Sequence, residues 1–297
     1  MAYDNRILEK LQSTRELPTV PAVLVPLLQY LDQPMDRVDL QHVVHLVSQD
    51  KSLTARCLQV ANSALFGSRH QVESIQAAVV SVGIVRIQEI AVSCSLLKLL
   101  PTAWANASPS AIWAHSLGCA LIAREFAGKI GFHDPSKAYV AGLLHDVGIV
   151  ALLWVAPNDF RRALELAKQE HSPLAEAEDK VLGITHVESG QIIAQNWHLP
   201  AELIDVIAHH HAPEKSTHNP ALVSIVSLSD LLCRVSGMGY GHSENRVTNF
   251  ADEPAFSVLQ RQYSTLQPFD FARFTFEMEG LLEEVRGVVS SVYGGTQ

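Results

Sequence analysis

Nearly every segment of this 297-residue chain repeats its apolar residues at three- and four-residue spacing, and convincing alternating strands are absent, so an all-α fold is expected. A second sign is a capping residue followed by proline, at Ser108-Pro109, Asp134-Pro135, Ser172-Pro173 and Asn219-Pro220. That pair suits a helix N-terminus, where a side-chain oxygen can accept from free backbone N–H groups and proline lacks one. A third is the capping box of Thr185 and Glu188, which puts His186 in the first turn of a helix.

Taken in order, helices are expected from Pro21 to Leu31, Val38 to Ser48, Ser52 to Leu65, Ser74 to Val82 and Val85 to Leu100. Pro101 and the small polar run to Ser108 suggest a junction, giving a bundle of two packed lobes, 1–105 and 106–236. Residues 138 to 160, AYVAGLLHDVGIVALLWVAPNDF, read as an apolar helix. The Gly-, Ser- and Asn-rich stretch from Ser236 to Pro254 reads as a mobile loop. Two amphipathic helices from Ala255 to Tyr293 complete a closing segment, 237–297.

Composition narrows the function. Hydrophobic residues make up 47% and charged residues 18%, which excludes a disordered chain. Asp and Glu number 31 against 22 Lys and Arg, and the net charge of −9 argues against strong nucleic-acid binding. Cys57, Cys94, Cys119 and Cys233 form no Cys-x-x-Cys pair and read as core thiols of a reducing compartment. The N-terminus has no signal-peptide core, and the most apolar run, Ala138 to Ala156, carries His145 and Asp146 at its middle. A soluble cytoplasmic protein without a membrane partner is expected.

The chemistry lies in that run. It holds no Lys or Arg, so burying Asp146 calls for a cation or several donors from elsewhere. Gly142 and Gly148 leave the backbone beside it open to close approach. His115, His186, His210, His211 and Asp230 stand in segments of similar character, of the three consecutive histidines at most two can face one site, and the whole reads His … His-Asp … His … His-His … Asp. Imidazole and carboxylate ligands suit a divalent or transition metal, with iron first and Mn, Zn, Ni or Mg as alternatives. His42, His45, His70, His133, His171, His198, His218 and His242 are read as ordinary histidines.

With WAHS at 113–116, AGLLHDVG at 141–148, HVESG at 186–190 and HHHAP at 209–213, the chain resembles the HD superfamily of metal-dependent phosphohydrolases. The stretches QDKSLTARCLQVANSALFG and IQAAVVSVGIVRIQEIAVSCSLL resemble, more specifically, the HDOD family of bacterial signalling modules, related to HD-GYP phosphodiesterases, over Leu17 to Ser236. The resemblance implies an HD-type helical core in the second lobe and a role in signal transduction. It further implies metal ligation by His115, His145, Asp146, His186, His210, His211 and Asp230, positions that many HDOD members have lost. Three departures separate the chain from active HD-GYP enzymes: Ile149 stands at a usual lysine, Ala111 at a carboxylate of some trinuclear sites, and no Gly-Tyr-Pro follows the histidines. Cyclic di-GMP is therefore not expected to be hydrolysed. The expected function is regulatory, acting with other signalling proteins or a phosphorylated small molecule. The alternatives are a phosphohydrolase acting on a nucleotide or phosphoester, and a metal-free scaffold.

Overall fold

A computed structural model describes residues 5–13, 21–31, 39–66, 70–101, 109–241, 249–266 and 269–294. Among these the regular structure is helical throughout. The helices up to residue 101 are α1 (Asn5–Gln12), α2 (Leu24–Leu31), α3 (Leu40–Ser48), α4 (Lys51–Ala61), α5 (Ile75–Val82) and α6 (Ile84–Leu96). Asp39, Asp50 and Ser74 cap α3, α4 and α5 through their side chains. From Ile87 to Leu96 every residue of α6 is buried, because it packs against α2, α4 and α5 and also against the helix of residues 135–144.

After residue 108 come α7 (Pro109–Ile130), α8 (Pro135–Leu144), α9 (Val147–Val155), α10 (Pro157–Glu170) and α11 (Leu174–Leu182). Then come α12 (His186–Asn196), α13 (Ala201–His209) and α14 (Pro220–Val235). Asp134 and Asn219 cap α8 and α14 as expected, and the Thr185–Glu188 capping box is present on α12. Ser108 and the junction from 102 to 108 fall outside the described residues. The expected cap at Ser172 is not made: Pro173 is the N-cap of α11. Last come α15 (Pro254–Gln260) and α16 (Phe271–Gly294); α16 lies along α7 and reaches back to α4.

Two expectations need correction. The stretch 138–160 is not one helix, because α8 ends at Leu144 and α9 starts at Val147, with Asp146 at φ −101°, ψ 23°. His145 Nδ1–H donates to the Gly142 carbonyl three residues back, which turns the ring out of the helical run. The apolar run 135–155 is long enough to cross a membrane, but its most apolar window is 94% buried inside the protein. The second correction concerns the loop after α14. Residues 237–241 form a strap packed back on the helices with Met238 buried, whereas 242–248, including His242, fall outside the described residues.

Candidate metal centre

Five helices or their ends bring the expected residues together. His115 comes from the middle of α7, His145 and Asp146 from the α8–α9 break, and His186 from the first turn of α12. His210 and His211 follow α13, and Asp230 projects from α14. Gly148 lets α9 approach α12: a Cβ built there would lie 1.8 Å from the His186 carbonyl oxygen and 2.5 Å from Gly190 N. At Gly142, a Cβ would lie 2.9 Å from the Cys119 carbonyl oxygen of α7. Both glycines are therefore close-approach positions. His209, 3.8 Å from Asp205, stays outside the cluster.

Asp146 lies at the centre. Its Oδ2 is 3.2 Å from His145 Nε2 and 3.6 Å from His115 Nε2, and its Oδ1 is 3.4 Å from His210 Nε2 and 3.5 Å from His186 Nε2. Asp230 Oδ1 joins the first group at 3.3 Å from His115 Nε2, and His211 joins the second, with Nε2 3.1 Å from His186 Nε2. Two ligands on one tetrahedral ion with bonds of about 2.0–2.1 Å are themselves about 3.3–3.4 Å apart. The separations fit two such groups sharing Asp146.

The histidine hydrogen bonds turn the Nε2 atoms toward one another. Four rings tie Nδ1–H to an acceptor outside the cluster: His115 to the Met238 carbonyl (2.7 Å), His145 to that of Gly142 (2.7 Å), His186 to Glu178 Oε2 (2.6 Å), and His210 to those of Val206 and Ile207 (3.2 and 3.1 Å). A neutral ring donating from Nδ1 presents a bare lone pair at Nε2. The His115 and His145 Nε2 atoms nonetheless face each other at 3.3 Å. Two lone pairs at that distance repel unless a proton or a metal ion stands between them. Asp146 Oδ1 and His210 Nε2 are also buried without a hydrogen-bond partner. Buried polar atoms are seldom left so, and these fit a metal ion.

Three further residues escaped the sequence reading. Glu178 is fully buried and also accepts from the His186 backbone N–H at 2.7 Å. Arg234 Nε meets both oxygens of Asp230 at 3.1 Å, a pairing visible in principle as Asp and Arg four apart on a helix. Tyr240 donates its hydroxyl to Asp146 Oδ2 at 2.5 Å, with its ring centroid 4.7 Å from that of His115. Burial would raise the Asp146 carboxyl, but His145 and His186 hold it well below the usual range. Burial is likewise outweighed at Asp230, chiefly by Arg234. At His186 burial favours the neutral ring, yet Glu178 and Asp146 carry it up to about 9. Burial pushes down His210 and, further, His211. A cleft of about 310 Å³ opens onto the cluster, walled by Asp146, His186, His211, Asp230, Arg234, Tyr240 and the start of α11.

A helical bundle gathering His, His-Asp, His, His-His and Asp in this order around one carboxylate defines an HD-type helical protein. The chain belongs to the HDOD domain family, whose model matches residues 17–213. It is similar to an HDOD domain protein of unknown function from Geobacter sulfurreducens, at 31% identity and a TM-score of 0.83, covering 97% of this chain and 98% of that one. A Shewanella amazonensis structure described as a "Putative phosphohydrolase" shares the fold, at 20% identity and a TM-score of 0.71, over 96% of this chain and 97% of the other. An uncharacterized protein of Treponema pallidum is 26% identical over 221 residues, 74% of this chain. The chain spans 42% of the length of that curated relative.

Proposed function

We propose that this chain is a signalling module that holds two divalent transition-metal ions and presents them to a phosphorylated small molecule. His115, His145, Asp146 and Asp230 would hold one ion, and His186, His210, His211 and Asp146 the other, with iron the first candidate. Bound there, the metals supply charge that neutralises phosphoryl oxygens and lowers the pKa of water, the chemistry of a phosphohydrolase. The observation that carries the reading is the cleft walled by Asp146, His186, His211 and Asp230, since a purely structural metal is usually closed off by its ligands. At about 310 Å³, it lies at the small end of the range of ligand pockets, roughly 300–1,000 Å³, and suits a phosphomonoester or single nucleotide better than a cyclic dinucleotide. Arg234 adds a cation to its wall, where the sequence had suggested none.

A second reading, a sensor that binds its ligand without turnover, has one specific support. Ile149 is fully buried and apolar, and Arg234 is paired with Asp230, so the phosphate-facing charge is small. Other signalling proteins are the partners proposed under either reading. The test is elemental analysis of protein purified without added metal or a chelating column, then phosphate release from p-nitrophenyl phosphate, mononucleotides and cyclic di-GMP. Stoichiometric transition metal, depleted in His145→Ala, is expected, with no turnover of cyclic di-GMP. Phosphate release from a monoester would favour the enzyme, and metal-dependent binding without release the sensor. Metal-free protein of undiminished stability would refute both.

A further inference from the structure

The two halves of the cluster are unlike in one respect that bears on how the ions enter, an inference resting on the two-ion reading above. In the half built from α12 and the end of α13, Asp146 Oδ1 and His210 Nε2 have no hydrogen-bond partner and lie 3.4 Å apart. His186 Nε2 stands 3.5 Å from the same oxygen. An ion arriving there displaces no hydrogen bond from the Asp146 oxygen it takes, only the 3.1 Å contact between His186 Nε2 and His211 Nε2.

The half built from α7, the α8–α9 break and α14 has both of its carboxylates engaged. Tyr240 O–H occupies Asp146 Oδ2 at 2.5 Å, and Arg234 meets Asp230 through Nε to both oxygens and through Nη2 to Oδ2, each at 3.1 Å. These are charge-assisted contacts, the stronger class of hydrogen bond. The strap carrying Tyr240 also supplies the Met238 carbonyl that holds His115 Nδ1–H, so it touches this half twice. Gly237 (φ +73°) and Gly241 (φ +79°) bracket it in the left-handed region, which glycine adopts without steric cost. A second ion must therefore compete with a phenol hydrogen and a guanidinium for its oxygens.

We infer that the His186–His210–His211 half, with Asp146 Oδ1, takes the first divalent ion, and that Tyr240 and Arg234 are positioning residues holding the His115–His145–Asp230 half against the second. Losing one charge-assisted hydrogen bond corresponds to a change of roughly tenfold to a hundredfold in an equilibrium constant.

The test is equilibrium dialysis of the full chain against graded Mn²⁺, with bound metal counted by elemental analysis and the coupling between two Mn²⁺ ions followed by electron paramagnetic resonance. The wild type is expected to fill in two separate steps, the coupled signal appearing only with the second. Tyr240→Phe should keep the first step and move the second to about tenfold lower free Mn²⁺ or further, with folding checked by circular dichroism. Arg234→Gln should move the second step in the same direction, and His210→Ala should remove the first. Filling in a single step, or an unmoved second step in both folded variants, overturns the inference while leaving the two-ion reading intact. A second step weakened in Tyr240→Phe makes the phenol oxygen a ligand and also overturns it. Absence of Mn²⁺ uptake by the wild type overturns the reading and the inference together.

Discussion

The inner imidazoles have their Nδ1 protons committed to acceptors, three of them to backbone carbonyls and His186 to the carboxylate of Glu178. A carboxylate in that place fixes the ring and makes its Nε2 a better donor to metal. Glu178→Gln keeps the shape and removes the charge, so metal affinity should fall by about 10–100-fold with the helices intact. A chelator-competition titration measures this, and an unchanged affinity would show that Glu178 does not orient the ligand. At this scale the sequence pointed to the histidines and aspartates that the fold gathers and was opaque for the residues that hold them. Glu178 sits in LAEAEDKVL, where it looks like one more carboxylate on a solvated face. Tyr240 lies among glycines and serines, and its partner Asp146 is 94 residues away.

At the level of elements, amphipathic helices such as α3 could be read because their apolar residues keep to one face. The α8–α9 break could not. It contains neither proline nor glycine, and both flanking helices are apolar all round, so periodicity carries no mark of it. What sets it is tertiary: His145 and Asp146 turn toward ligands on four other segments. The glycines were legible as close-approach positions, although which helix approaches could not be known. Gly148→Ala would force a methyl group against the His186 carbonyl and Gly190 N, both backbone atoms that cannot rotate away. Separation of α9 from α12 should lower stability by about 3 kcal/mol or more. It should also weaken metal binding, because His186 moves with α12. Denaturant unfolding alongside metal content checks both, and a variant as stable as the wild type would mean the helices part more easily than the packing implies.

For the molecule as a whole, an all-helical architecture was predictable from periodicity, whereas the packing of α1 against α9 and α12, and of α16 against α4, joins segments too far apart in sequence for any local pattern to pair. On the proposed reading, an ion held by residues from α7, the α8–α9 break, α12, the end of α13 and α14 would bind the folded chain far better than the unfolded one. The gain follows RT ln(1 + [L]/Kd), about 4 kcal/mol when free metal stands a thousandfold above Kd. Prolonged chelation should therefore lower the thermal midpoint by on the order of 10 °C, with recovery on adding metal back. Asp146→Ala should respond weakly to metal. Calorimetry with verified metal removal decides the matter: matching midpoints would leave the ions loosely held at the cleft and unimportant to the fold.

The reach of the strap back to His115 also fixes an order of events during synthesis. Met238 lies 123 residues beyond the ring it steadies. As the chain leaves the ribosome, His115, His145 and Asp146 emerge well before Asp230, Arg234 and Tyr240. Until then His115 and Asp146 lack the Met238 carbonyl and the Tyr240 hydroxyl that hold them in the folded chain. The complete cluster, with both carboxylates held in place, exists only once residue 240 has emerged and folded back onto His115 and Asp146.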